Sequence, residues 1–269
     1  MAGLLVRDIM LKDFPVVDKD ETLEHAVRVM RRYDTDRVVV VEKGKLVGIM
    51  TKKDIMMKLA TLRTRRLVPG RLHVSSFMSI DPVTIRDTEE AVKAAEVMLG
   101  KGIGSLPVLN EAGELVGLVT RWEAAALIRD REDLKAIEAA ATLPFALKMT
   151  DKVLHARKLL TQYNLLFLPV IDDEGKPIGY VTVDEVADAL FAFHEIVPEK
   201  YRKERIEHLL VADIMRPRPP VAAPDDPLPE VYERMRRKNS KGAIVVQGDK
   251  IMGVITLIEL LKMVTLHAK

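Results

Sequence analysis

Four phrases in this 269-residue chain place a threonine three residues before an acid. They are Gly48-Ile49-Met50-Thr51-Lys52-Lys53-Asp54, Gly117-Leu118-Val119-Thr120-Arg121-Trp122-Glu123, Gly179-Tyr180-Val181-Thr182-Val183-Asp184-Glu185 and Gly253-Val254-Ile255-Thr256-Leu257-Ile258-Glu259. A glycine ending a strand lets a ligand come close. A threonine that then opens a helix sits beside free amides and a dipole that suit a phosphate. An acid one turn later offers two oxygens, enough for two neighbouring sugar hydroxyls. The same spacing is also a capping box, in which threonine and acid satisfy the first amides of the helix. That structural role alone explains all four threonines and the acids Glu123, Glu185 and Glu259, glutamate being the usual capping-box residue.

The phrases start 69, 62 and 74 residues apart, too far for a solenoid and right for a small duplicated module. Upstream of each, apolar residues recur at helical spacing: Leu23, Ala26, Val27 and Met30; Ala91, Ala94, Ala95 and Met98; Val153, Ala156 and Leu160; Leu228, Val231, Tyr232 and Met235. Asp87 with Glu90, and Asp226 before Pro227, read as start signals for two of these helices. Between helix and phrase come two apolar runs split by a turn cluster, such as Val38 to Val41 and Leu46 to Met50 around Glu42-Lys43-Gly44, which predicts a hairpin. Each unit is therefore an extended segment, a helix, a hairpin and a second helix. Units this small bury too little surface to stand alone, so they are expected to pair.

The composition excludes several classes. With no cysteine there is no disulfide framework, thiolate metal site or cysteine nucleophile. Basic and acidic side chains, 42 against 40, nearly balance, so attraction to nucleic acid would need a local patch. Two runs qualify, Arg63-Thr64-Arg65-Arg66 and Arg234-Met235-Arg236-Arg237-Lys238, but no aromatics interleave with them and the second closes a helix, where cations oppose the dipole. The six histidines have no metal-ligand spacing within a helix, and there is no nucleophile elbow or P-loop lysine. The expectation is a protein that is not an enzyme. Scarce amides, with asparagine only at 110, 164 and 239 and glutamine only at 162 and 247, suit a thermophile. Neither a signal peptide nor a membrane span is visible, so a cytoplasmic location and no membrane partner are expected.

Tandem β-α-β-β-α units closed by Gly-x-x-Thr-x-x-Asp resemble the CBS domain family over nearly the whole chain. Asp8-Ile9-Met10, Ser76-Phe77-Met78 and Asp213-Ile214-Met215 open units one, two and four as in that family, and Leu106-Pro107-Val108 and Leu168-Pro169-Val170 fill the second strand of units two and three. The resemblance implies an α/β (α+β) fold with units at 1-62, 70-130, 136-194 and 207-269. These pair, one with two and three with four, into disc-like Bateman modules at 1-130 and 131-269. Such clefts bind adenosine compounds: AMP, ADP, ATP or S-adenosylmethionine.

On this resemblance unit one carries the best-equipped site. Asp54 is the ribose-binding acid, Arg37 stands where adenylate binders carry a phosphate-contacting arginine, Lys53 adds a second cation, and Val16, Asp36, Val38 and Thr51 complete the candidate set. Unit two offers Thr84, Ser105, Thr120 and Glu123, the last a methylene longer than the family acid. In unit three Leu166 and Phe167 replace the polar residues before the second strand, leaving adenine stacking without a phosphate partner, and Asp184 stands beside Thr182 and Glu185 as a substitute acid. Unit four has Lys241, Thr256 and Glu259. The function expected is a regulatory sensor of adenosine nucleotides, working as a homodimer on a separate effector protein with no output domain fused to it. The segments Arg129 to Glu138 and Glu195 to Leu210 would connect the units. Alternatives are a sensor of an S-adenosylmethionine-type ligand and a nucleic-acid-associated regulator using the arginine runs.

Overall fold

The computed structural model describes residues 3–59, 69–142 and 145–268. The run Arg63 to Arg66 lies outside them. Unit one comprises α1 (Val6–Ile9), β1 (Val16–Asp18), α2 (Leu23–Arg32), β2 (Arg37–Glu42), β3 (Lys45–Thr51) and α3 (Lys52–Leu59). Unit two comprises β4 (Ser79–Ile80), β5 (Ile85–Arg86), α4 (Ala91–Lys101), β6 (Ser105–Leu109), β7 (Leu115–Thr120) and α5 (Arg121–Ala125), with α6 (Ala136–Ala139) following. Unit three holds α7 (Val153–Gln162), β8 (Phe167–Ile171), β9 (Pro177–Thr182) and α8 (Val183–Ile196), and α9 (Glu199–Arg205) leads on. Unit four holds β10 (Arg216–Pro217), β11 (Val221–Ala222), α10 (Leu228–Arg237), β12 (Gly242–Gln247), β13 (Lys250–Thr256) and α11 (Leu257–Leu266).

The repeated grammar produces these elements directly. Every apolar residue at the predicted helical positions is buried. The hairpin β2–β3 turns on Lys43 and Gly44, both at positive φ (51° and 78°), the backbone a two-residue turn requires. Each hairpin is antiparallel, and the first strand of units one, two and four joins it in parallel. Among the described residues unit three shows no regular first strand. Leu147 takes its place through one parallel bridge to Val170, its amide bonded to Pro169 O at 2.8 Å.

The units pair by exchanging their opening segments. β4, which opens unit two, adds to β3 of unit one, while Leu11 of unit one bridges Leu118 of unit two. Units three and four repeat the exchange through β10 on β9 and Ala141 on Val254. Helix starts are exchanged too. The first amides of α2, α4, α7 and α10 bond the carbonyls of Leu72, Leu4, Leu209 and Leu134, each from the paired unit, at 2.7 to 2.9 Å. This corrects the start signals read at Asp87 and Asp226. Helix α4 begins only at Ala91 with Glu90 as its cap residue, α10 begins at Leu228 after Pro227, and Asp226 instead accepts from the Ala223 amide and pairs with Arg234. A backbone carbonyl from the neighbour does the work that local sequence assigned to a side chain.

The glycine of each phrase is also corrected. A Cβ on Gly48 would lie 2.8 Å from Met78 Sδ, one on Gly179 2.9 Å from Arg216 O, one on Gly253 2.6 Å from Ala141 O, and one on Gly117 would overlap Met10. The glycine makes room for the paired unit's opening segment, including the methionines of the opening motifs, rather than for a ligand. Gly253→Ala should therefore cost about 1–3 kcal/mol, the range for overpacking, since the two backbone bonds that Ala141 exchanges with the adjacent Val254 hold its carbonyl in place. A denaturant midpoint unchanged from the parent would refute this.

The two modules are not independent discs. Helix α3 lies along α8, with Met56 in the core of unit three and Phe191 in the core of unit one. Helices α4 and α5 pack on α11, and units two and four share one continuous core. Lys52 to Asp188 at 2.8 Å and Arg129 to Glu233 at 2.8 Å bridge the same two seams. Pairing within modules and helix packing between them close the four units into a ring. The connecting segment after unit three folds back on the end of α8, where Arg202 bonds the carbonyls of His194 and Val197, and at its start Glu195 accepts from the Gly70 amide of the first module at 2.9 Å.

Candidate functional site

The end of β3 and the start of α3 bring Thr51, Lys53 and Asp54 to a cavity of about 330 Å³ between units one and two. The opening segment of unit two supplies its apolar wall, with Ile80, Pro82 and Val83, joined by Ile103. Its polar wall holds Arg37, Ser105, Arg121 and Lys241. The volume falls in the range of small-molecule sites.

All four acids cap their helices, and one of them keeps an oxygen free. Oδ2 of Asp54 accepts from the Thr51 amide at 2.8 Å and hydroxyl at 2.6 Å. Oε2 of Glu123, Glu185 and Glu259 does the same for Thr120, Thr182 and Thr256. The second oxygens differ. Glu259 Oε1 is 3.2 Å from Lys262, Glu123 Oε1 is 3.9 Å from Arg236, and Glu185 Oε1 is 4.0 Å from Arg216. Among the described residues Asp54 Oδ1 has no such cation, and it belongs to a residue lining the cavity. Capping and hydroxyl binding are thus compatible in Asp54, because a carboxylate has an oxygen for each.

At the centre of the ring a cluster of charges joins three units. Arg37 is 8% exposed, and its Nε and Nη2 donate to the two oxygens of Asp36 at 2.7 and 3.0 Å. Lys241, from unit four, donates to Asp36 at 2.5 Å and to Asp184 of unit three at 2.7 Å. Burial would raise the Asp36 carboxyl, but Arg37 and Lys241 overcome it and hold the group far below the usual range. Burial raises Asp184 above that range, with Lys241 opposing. Lys241 itself is raised: burial works against its charge, and the two aspartates prevail. Left over is Arg37 Nη1, buried and without a hydrogen-bond partner among the described residues. It faces Gly104, whose Cβ would lie 3.0 Å away, on the cavity wall.

Two further cations face the same cavity. The Arg121 amide bonds Gly104 O at 3.1 Å, which sets its side chain beside Gly104. Burial, and then the neighbouring Arg37, push its guanidinium down to about 10. Burial and Arg121 likewise lower Lys53, whose Nζ donates to Asn164 at 2.6 Å.

A second cavity, of about 320 Å³, lies against the Thr120–Glu123 phrase and shares Asp36, Arg37 and Lys241 with the first. Asp13, Asp34 and Asp184 give it an acidic wall, and Arg236 lies over the Trp122 ring at 5.2 Å. Trp122 in turn packs edge-on against Tyr232, in keeping with a packing role. The Thr256–Glu259 phrase faces a cavity of only about 90 Å³.

Other expected residues are placed elsewhere. Val38 is fully buried in the core of unit one, since strand alternation turns it away from the face that carries Arg37. Val16 is 42% exposed and Thr84 is exposed, and neither lines these cavities; Pro15 and Val83 stand there instead. Phe167 is 3% exposed, stacked on Tyr180 at 5.2 Å and pressed against Gly242, so it packs between sheets and is not open for adenine. Asp184 turns to Lys241 rather than toward the Thr182–Glu185 cap. Arg121 was missed by the sequence reading, although it directly follows Thr120 at the helix start. Lys241 as an ion bridge carried no local signal at all.

The chain belongs to the CBS domain family, whose profile matches residues 6–61, 74–130, 138–192 and 211–265. It is 38% identical over 125 residues to a CBS domain-containing protein of Dictyostelium discoideum, covering 44% of this chain and 86% of that one. An uncharacterized protein of Methanocaldococcus jannaschii is 23% identical over 266 residues, 96% of this chain, which spans 61% of that relative's length. A solved structure from the same organism, described as a putative archaeal homolog of g-AMPK, shares the fold with a TM-score of 0.83 at 21% identity, covering 97% of this chain and 99% of that one. Among the described residues no helix is long and apolar enough to cross a membrane.

Proposed function

We propose that the chain is a regulatory ligand sensor whose cavity between units one and two takes a phosphorylated adenosine. The observation that carries this reading is a pair of unmet demands among the described residues lining one cavity: the buried, partnerless Nη1 of Arg37 and the second oxygen of Asp54. A phosphate meets the first and a ribose diol the second, while Ile80, Val83 and Ile103 offer an apolar surface to a base. A buried donor without an acceptor is costly, so a ligand that supplies one gains affinity there. The neighbouring wall includes Arg37 and Lys241, which hold three units together, so ligand binding is felt at the ring's centre. The signal is a shift toward the arrangement that the ligand prefers, no larger than that preference. The second basic run favours this reading over nucleic-acid binding, because Arg234, Arg236 and Lys238 are engaged with Asp226, Trp122 and the Arg218 carbonyl.

Thermal unfolding with AMP, ADP, ATP and S-adenosylmethionine tests it. At about a hundred times Kd a ligand adds about 2.7 kcal/mol, which raises the melting temperature by several degrees. The phosphorylated compounds should do this, and mass spectrometry of what the purified protein releases on denaturation should identify the one carried. No shift with any adenosine compound overturns the proposal.

A further inference from the structure

We propose that Arg37 and Arg121 form an opposed guanidinium pair that selects the ligand by the charge on its phosphate, admitting a dianionic ester and discriminating against its monoanionic and neutral relatives. This rests on the preceding reading of the cavity. The two side chains come from different units and meet over Gly104, where a Cβ would lie 3.0 Å from Nη1 of one and 3.2 Å from Nη1 of the other. Any larger residue at 104 would crowd both.

No carboxylate bridges the pair. Asp36 binds the far edge of Arg37, through Nε and Nη2, and leaves Nη1 partnerless. Among the described residues the Arg121 guanidinium makes no hydrogen bond or ion pair, although it is largely withdrawn from water. Two like charges at close range in a medium less polar than water repel, and each lacks part of its hydration. The empty protein bears that repulsion. Asp36 already compensates Arg37, so a ligand group with one negative charge can meet either Arg121 or the open Nη1 of Arg37 and leaves the other without an acceptor. A phosphate monoester, which at pH 7.5 carries close to two charges and three acceptor oxygens, can bond both arginines. Lys53, on the same wall, adds to this preference but already has Asn164 as an acceptor.

The arrangement therefore links ligand choice to stability with opposite signs. Removing Arg121 relieves the empty protein and at the same time abolishes the charge preference. A merely structural arginine would do neither.

The test is titration calorimetry on the full chain at pH 7.5 with AMP, its 5′-phosphate methyl ester and adenosine, which share a base and both ribose hydroxyls and differ in charge. The parent protein should bind AMP at least about tenfold tighter than the methyl ester, the increment expected when a second charge-assisted contact is gained. In Arg121→Met the AMP-to-ester ratio should fall toward one, and the empty variant should melt higher than the parent. Arg121→Lys should keep most of the ratio, which separates charge from packing. An unchanged ratio in Arg121→Met, or an empty variant that melts lower, overturns the inference. AMP binding by the parent with no preference over the ester overturns the inference alone, as does no AMP binding where ADP or ATP still raises the melting temperature; no response to any adenosine compound overturns the functional reading with it.

Discussion

Lys241→Met should destabilise the protein by about 3–5 kcal/mol, the cost of removing one partner from a buried ion cluster. Lys241 lies between Asp36 and Asp184, and without it two carboxylates are left close together in the interior with Arg37 and the more distant Lys52 to compensate. The pH dependence gives the prediction a second arm. In the parent, Asp36 sits far below its ordinary value of 3.8, so its contribution is present above that value and is lost only in strong acid. Asp184 is already raised, and losing Lys241 raises it further. A carboxyl whose folded value exceeds its unfolded one takes up protons on folding, so it favours folding as pH falls toward about 4. The variant should thus recover more stability between pH 7.5 and 5 than the parent does. Urea unfolding at both pH values measures this, and Asp184→Asn added to Lys241→Met should restore part of the loss. A loss under about 1 kcal/mol, or no recovery in acid, would show that the cluster is not the brace that its geometry indicates.

Asp54→Ala should weaken AMP binding by about 1.5–3 kcal/mol, roughly 10- to 150-fold, the range for hydrogen bonds lost to a charged group. Part of the change also falls on stability, since the Thr51 cap goes with it, at about 1 kcal/mol. Glu259→Ala provides the control. It removes the same kind of cap from a unit whose acid has its second oxygen near Lys262, so it should cost similar stability and leave AMP affinity unchanged. Calorimetric titration of both variants, with their melting temperatures, separates the two effects. Equal loss of affinity in both would mean that the acid acts only through the helix start.

Much of the fold was legible because it is written in local periods. Helical apolar spacing, turn residues at positive φ and a phrase repeated four times each depend on residues close in sequence. The choice between capping and binding in the Thr-x-x-acid phrase was not legible, because both roles use the same atoms of the same residues. Position distinguishes the units: Lys262, Arg236 and Arg216 stand near the second oxygens of the three glutamates, and two of those three cations come from other segments of the chain.

The glycines teach a related point. Gly48, Gly117, Gly179 and Gly253 are correctly read as places of close approach, yet what approaches is the paired unit's backbone or methionine, which no reading of one unit could identify. Phe167, similarly, looks available for stacking until β8 is placed against Gly242.

By itself, then, the sequence determined four units of one family and their pairing, and it singled out the unit-one residues for which a phosphate and a sugar are proposed. Tertiary structure alone decided that the modules close into a ring, that Lys241 of unit four reaches Asp36 of unit one and Asp184 of unit three, and that Arg121 comes to face Arg37 across Gly104. The physical reason is range. Propensity and capping act over a turn or a hairpin, whereas a buried charge depends on which other charges packing brings within a few ångströms, and those lie 57 to 205 residues away along the chain.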